Sequence, residues 1–201
     1  MEHVAWEARL LVEEELDDAI VLFYETVHAV ARCDYTGEQL DAWAPRDARA
    51  QRELRGKLRE ERVVGVWERG MLVGFGSLDG NSDIDMLYTH ACAQGRGIAT
   101  CILQELEALA AADGKETMCV DASLTSAPFF ERRGYRTVRV QRVERRGVML
   151  DNVHMAKRLT VGTMAYSYRS QWVAGQERYA VNIQIFGTKK SFDTKKGAAL
   201  L

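Results

Sequence analysis

The sequence predicts a layered α/β (α+β) domain, and three observations carry that prediction. Apolar residues recur at three- and four-residue steps between Glu13 and Ala31, the signature of one buried helical stripe. Continuous or alternating apolar runs at Val63–Trp67, Met71–Gly76 and Met118–Val120 read instead as strands. Strand-like and helix-like segments then interleave along most of the 201 residues, which places helices around one sheet.

Each element follows from local chemistry. Val4 to Val12 includes an alternating stretch and reads as a first strand. In the helix expected over Glu13–Ala31, the first-turn carboxylates Glu13, Glu14 and Glu15 suit the positive end of the dipole. Thr36-Gly37-Glu38-Gln39 has the form of a capping box for a short second helix, which Pro45 stops. Asp47 starts another, to about Glu61. A hairpin turns at Glu68-Arg69-Gly70, and a strand runs from Ile84 to Thr89. A helix from Gly97 to Ala111 ends at Asp113-Gly114. A buried strand at Met118–Val120, a short helix from Thr125 to Arg133, and strands at Tyr135–Val140 and Val148–Leu159 complete the domain. Val161 to Gln176 is polar and reads as a linker or loose meander, with a new strand at Val181–Phe186.

Bulk composition narrows the function. The chain is 47% hydrophobic and 28% charged, as ordinary globular proteins are. Its formal net charge of −2 supplies no field to recruit nucleic acid or a membrane surface. The expectation is a cytoplasmic protein, monomer or homodimer, that finds its partner through a pocket. Cys33, Cys92, Cys101 and Cys119 form no metal-ligand spacing with the four histidines, so no metal is expected and the thiols read as reduced and buried.

The chemistry concentrates in one unit, where a strand leads through Thr89 into Gln94-Gly95-Arg96-Gly97-Ile98-Ala99 and then a helix. Glycines let the backbone approach a ligand, and successive N–H groups at a helix start make an anion site that suits a pyrophosphate. A bare turn would also carry Gly-x-Gly. A dinucleotide-binding fingerprint would need a third glycine, where Thr100 stands.

Gln94-Gly95-Arg96-Gly97-Ile98-Ala99 resembles the Q/R-x-x-G-x-G/A motif of the GCN5-related N-acetyltransferases (GNAT), and Ala127-Pro128-Phe129-Phe130-Glu131-Arg132-Arg133-Gly134-Tyr135 resembles the family's second signature at the right distance. The resemblance covers about Trp6 to Leu159 and is similar to the YafP-like branch, with Asp34–Pro45 and Val120–Ser123 also matching. It implies a central, mixed, mostly antiparallel sheet of about seven strands with flanking helices, and acetyl-CoA as cosubstrate. It further implies an amine acceptor, of small-molecule or protein origin. Gln94, Gly95, Arg96, Gly97, Ile98 and Ala99 would hold the pyrophosphate, Leu87 and Thr89 would flank the thioester, and Phe130 would border it.

For the base, Asp85 is the first candidate and Asp121 the second. Strict alternation would set Asp83, Asp85, Leu87 and Thr89 on one face, with Ile84, Met86 and Tyr88 on the other. His28 and His90 read as ordinary polar or core residues. Many family members carry a tyrosine acid where Phe130 stands. Tyr88, Tyr35 or Ser123 could replace that hydroxyl, or none is needed, since a thiol of pKa about 8.5 leaves readily as its anion. A weakly catalytic acetyl-CoA-binding sensor is the alternative reading. Arg132, Arg133, Arg136, Arg139, Arg142, Arg145 and Arg146 form a run that could meet an acidic substrate or the CoA 3′-phosphate, or simply face solvent.

Val181 to Lys196 resembles the opening of the ArsC/Spx-like thioredoxin-fold family, with Ser191 at the redox-cysteine position. The expected organisation is therefore an acetyltransferase domain at 1–159, a linker at 160–180 and a stub at 181–201.

Overall fold

The order of elements follows the sequence closely until the last strands. The structure, a computed structural model, describes residues 6–159 in full and, beyond them, the backbone of two strands within 166–183. The chain divides into two compact units, Met1–Thr160 and Val161–Leu201.

In the first unit, β1 (Trp6–Leu10) leads through a single 3-10 turn at Glu13–Glu15 into α1 (Leu16–Val30). The glutamates are thus set outside the α-helix expected to begin with them. Arg9 holds Glu15 by two hydrogen bonds of 2.7 and 2.6 Å, and Val12 N–H donates to the same carboxylate. α2 (Gly37–Trp43) opens on the expected reciprocal cap: Gln39 N–H donates to Thr36 Oγ1 at 3.3 Å and Thr36 N–H to Gln39 Oε1 at 2.9 Å. α3 (Ala48–Glu60) is capped by Asp47, whose Oδ1 accepts from Arg49 and Ala50 N–H.

The hairpin of β2 (Arg62–Glu68) and β3 (Met71–Leu78) turns through Arg69 and Gly70, at φ 52° and 79°. Two consecutive positive φ angles match the twist of a tight hairpin. Then come β4 (Ile84–Thr89), a 3-10 turn at Ala91–Ala93, α4 (Ile98–Ala112), β5 (Thr117–Ser123), α5 (Ala127–Glu131), β6 (Arg136–Arg145) and β7 (Val148–Arg158). β6 runs five residues past the expected strand end at Val140, and a second turn with positive φ at Arg146 and Gly147 joins it to β7.

These strands form one seven-stranded sheet in the order β1-β2-β3-β4-β5-β7-β6, every neighbouring pair antiparallel except β4 and β5. One core lies between the sheet and α4, around Ile98, Ile102, Leu106, Phe130 and Met155. The other joins Ile20, Phe23 and Val27 of α1 to Phe75 and Met86 of the sheet. β6 is largely exposed and carries Arg136, Arg139, Arg142 and Arg145, a charged edge that resists pairing with another strand.

Two expectations need correction here. The thiols are not uniformly buried: Cys33 and Cys92 are exposed, and Cys101 and Cys119 half-buried. The alternation along β4 is broken by a bulge. Ser77 pairs with Met86 and Leu78 with Ile84, so Asp85 is the extra residue without a partner on β3. Ile84 consequently joins the α4-side core with Leu87, while Met86 and Tyr88 pack on the α1 side. Asp83 and Asp85 both line the α1-side cavity but are held by different lysines, Lys115 and Lys57.

In the second unit, β8 (Tyr166–Val173) pairs antiparallel with β9 (Gln176–Ile183). The segment expected as a linker thus contains a strand and most of a hairpin. From residue 184 on, the stretch compared with the ArsC/Spx-like family lies outside the described residues.

Candidate active site

β4 and β5 run side by side but share a single backbone pair, Ile84 with Val120. Beyond that pair the sheet opens, and the candidate site is built around the opening. His90 N–H bonds to Val73 O at 3.0 Å. Because N–H directions alternate along an antiparallel strand, Tyr88 also points to β3, and the N–H groups of Leu87 and Thr89 point into the gap toward β5.

On the α4 side of the gap is a cavity of about 540 Å³ lined by Leu87, Thr89, Gln94, Gly95, Gly97 and Phe130, among others. Its floor is the helix start. Gly95 and Gly97 have φ of 72° and 88°, and Gly97 is the N-cap of α4, a position where its lack of a side chain leaves the first turn uncovered. No backbone N–H from Gln94 to Thr100 donates to a described residue; the ladder resumes with Cys101 N–H on Gly97 O. The buried hydroxyls of Thr26 and Thr89, both lining this cavity, also have no hydrogen-bond partner among the described residues. A row of free donors on the dipole's positive end, plus orphaned hydroxyls in a deep slot, fits a phosphate-bearing ligand with a polar chain.

The predicted binding residues do not all contribute in the same way. Gln94, Gly95, Gly97, Ile98 and Ala99 line the cavity. The Arg96 side chain turns away to a two-pronged ion pair with Glu68, leaving only its backbone N–H to the site. That pairing lowers the Glu68 carboxyl below its ordinary range. Phe130 is 2% exposed and stacks edge-on with Phe129 and Tyr135. Arg133 lies over the Phe129 ring at 4.7 Å and bonds to Thr100 Oγ1 beside the loop.

The second cavity, about 550 Å³, lies on the α1 side between α1–α3 and the β6–β7 hairpin. Phe23, Tyr24, Trp43 and Tyr88 give it an aromatic wall. The two cavities share Trp43, Ile84, Asp85, Tyr88, Val120, Asp121 and Ser123, so they meet at the gap.

Both candidate bases stand at that junction, with different partners. Asp85 forms a 2.7 Å ion pair with Lys57 of α3. Asp121 faces His154 directly across the β5–β7 ladder, with His154 Nδ1 2.7 Å from Asp121 Oδ1. His154 lines the α1-side cavity, and sequence reasoning misses it because its partner lies 33 residues away on a neighbouring strand. Strand alternation alone could have put it on the same face as Asn152, but not beside Asp121.

The hydroxyls considered as substitutes for the missing tyrosine are mostly engaged. Tyr35 donates to Asp151 O at 2.7 Å and accepts from Leu124 N–H at 2.9 Å, tying α2's approach to β7 and to the turn after β5. Ser123 bonds within its own turn to Ser126. Tyr88 packs between Phe23 and Phe75, and burial raises its hydroxyl above the ordinary phenol value. His28 and His90 are structural: His28 bridges Tyr24 O and Asp41, and His90 caps Cys92 N–H.

One further carboxylate stands behind the site. Glu61, 6% exposed, lies 3.9 Å from Lys57, and its Oε2 completes no hydrogen bond among the described residues. Burial pushes it up to about 7; the Ser77 hydroxyl and Lys57 oppose the shift, while Asp85 and Asp79 add to it.

A sheet split between a parallel pair, over a helix start that presents bare N–H groups, is the arrangement that the resemblance to the acetyltransferases leads one to expect. Residues 31–159 match the model of the acetyltransferase (GNAT) domain. The chain belongs to the GNAT acetyltransferase family. It is similar to YafP of Escherichia coli K12, described as an uncharacterized N-acetyltransferase, at 35% identity over 134 residues, 67% of this chain and 83% of that one. A GCN5-related N-acetyltransferase structure from Rhodopseudomonas palustris, described also as "Aminotransferase, Class-II", superposes at TM-score 0.74 with 33% identity, over 79% of this chain and 99% of the other. The PaiA N-acetyltransferase of Thermoplasma acidophilum, solved with coenzyme A, shares the fold at TM-score 0.61 and 18% identity, over 77% and 99%.

Proposed function

We propose that the chain moves the acetyl group of acetyl-CoA to a primary amine by direct attack on the thioester. The observation that carries this reading is the meeting of the two cavities at the β4–β5 gap, one floored by free N–H groups and the other walled by aromatic rings and carboxylates. The N–H groups from Gln94 to Ala99 would bind the pyrophosphate, and Arg132 or Arg133 at the cavity's edge would meet an outer phosphate. Leu87 and Thr89 N–H would donate to the carbonyl oxygen as it gains charge, the role of a fixed amide donor. Holding the amine against the thioester contributes much of the remaining rate.

For proton removal, Asp121 backed by His154 is the better-supported base, since Asp85 is held by Lys57 and sits on the bulge. The pair accepts the amine proton, and the C–S bond then breaks to give a thiolate that needs no dedicated acid. Tyr88 remains the hydroxyl near enough to the junction to hydrogen-bond there.

The lack of a hydroxyl at Phe130 favours a second reading, an acetyl-CoA-binding sensor with little turnover. Thermal unfolding with millimolar acetyl-CoA tests binding. A ligand at about 100 times its Kd adds about 2.7 kcal/mol, several degrees for a domain of this size. Release of free CoA thiol on adding amines then separates enzyme from sensor. Binding without turnover across a broad amine panel would select the sensor; no thermal shift would remove both readings.

A further inference from the structure

The α1-side cavity is rich in charge, and most of that charge is already matched. Lys57 pairs with Asp85 at 2.7 Å and Arg146 with Glu53 at 3.5 Å. Asp83 is held by Lys115 at 2.9 Å, and Asp151 by Arg142 at 3.2 Å. Asp79 accepts the N–H groups of Asn81 and Asp83 and so serves its own turn. Apart from Asp79, two lining charges are left without an opposite fixed charge among the described residues. One is Asp121, whose neighbour is an imidazole. The other is Arg145, whose one hydrogen bond is a 3.4 Å contact to the carbonyl of Glu144.

These two groups mark opposite ends of the cavity. Asp121 borders both cavities, at the gap; Arg145 borders the α1-side cavity alone. On β7, Asp121 is opposite His154 and Arg145 opposite Val148. Those positions are six residue steps apart, about 20 Å of backbone. Tyr24, Trp43 and Tyr88 line the same cavity, Trp43 and Tyr88 at its junction with the other. Arg145 lines the cavity together with the aromatic side chains of Tyr24 and Tyr88, so it faces the cavity although it belongs to the edge strand.

We propose that the acceptor is a small amine that also carries an anionic group, set apart from the amine by an apolar body. The amine meets Asp121, the body lies along the aromatic wall, and the carboxylate or phosphate meets Arg145. A guanidinium binds either anion with two parallel hydrogen bonds, which suits a terminal anchor. A free α-amino acid does not satisfy this arrangement, because its two charges are one carbon apart. A cavity of about 550 Å³ matches a small molecule better than a protein surface. The inference rests on the acetyltransferase reading above.

The test uses matched acceptors with the full chain: 4-(4-aminobutyl)benzoate, its methyl ester, the corresponding phenylphosphonate, and phenylalanine. CoA-thiol release should favour the benzoate or phosphonate over the ester by at least tenfold in kcat/KM, with phenylalanine poorest. Whichever anion leads identifies the group. Arg145→Gln should collapse that preference to near one, while Arg136→Gln, on the same edge strand but outside the cavity, should retain it. Equal rates for anion and ester, or a preference untouched by Arg145→Gln, would overturn the proposal. Should no acceptor turn over, thermal shifts in the presence of CoA replace rates. Stabilisation by the anionic amines but not the ester supports the subsite, and its absence, with a CoA shift present, overturns it. No shift with acetyl-CoA itself would remove the reading on which the inference depends.

Discussion

At the residue scale, the site depends on two glycines and one carboxylate whose surroundings differ from its rival's. Gly97 holds φ of 88°, and a Cβ there would meet only Trp6, at 3.8 Å. Space at that position is open, but the backbone angle is not one other residues readily adopt. Gly97→Glu strains the turn and puts a negative charge where the phosphates would sit. The expected outcome is loss of the acetyl-CoA thermal shift, with the fold retained by circular dichroism. For proton removal, Asp121→Asn should lower kcat about 10²- to 10⁴-fold, the usual contribution of a general base. Asp85→Asn should cost less than about tenfold, measured by CoA-thiol release under saturating acetyl-CoA. The opposite order would restore Asp85 to the role.

At the element scale, α4 is seated on β3 through glycines that leave no room for a side chain. A Cβ on Gly76 would lie 2.8 Å from Ile102 Cγ2, 2.9 Å from Leu106 Cδ1 and 3.0 Å from Met86 O. Gly76→Val should therefore destabilise the domain by about 1–3 kcal/mol, read by urea unfolding, as overpacking does. The same scale shows what sequence can and cannot reveal. The Thr36–Gln39 box and the Asp47 cap are legible because a cap is made by residues two or three apart. The glycine loop before α4 is legible for the same reason. The bulge at Asp85 is not, since it exists only against the register of β3. Nor is the His154–Asp121 pair, which depends on β7 inserting between β5 and β6. The length of β6 is hidden because an arginine-rich edge strand lacks the apolar alternation that identifies buried ones.

At the scale of the whole molecule, one buried acid links stability to pH. Glu61 is raised from 4.5 to about 7 in the folded protein, so the folded state holds its proton more tightly than the unfolded chain. Below about pH 4.5 both states are protonated and there is no penalty. Across pH 4.5 to 7 stability falls as the unfolded chain releases its proton first. Above about pH 7 the cost is complete, on the order of 3 kcal/mol for a shift of this size. Glu61→Gln removes that slope, and its advantage over the parent in urea unfolding should be larger at about pH 8 than at about pH 5. An advantage independent of pH would show that Glu61 is not the group that titrates.

The lone pairing of Ile84 with Val120 has a consequence for how the molecule breathes. The seven strands behave as two panels stitched at one point, β1–β4 on one side and β5–β7 on the other. Amides in mid-sheet ordinarily exchange with deuterated solvent only when the protein opens broadly. Here the amides of Leu87 and Thr89 face the seam with no ladder partner, so they should exchange quickly although they belong to a central strand. A thioester ligand lying in that seam would take the place of the missing rungs. Protection of those two amides on adding acetyl-CoA, with those of Met86 and Tyr88 unchanged, would reveal a sheet that its substrate completes.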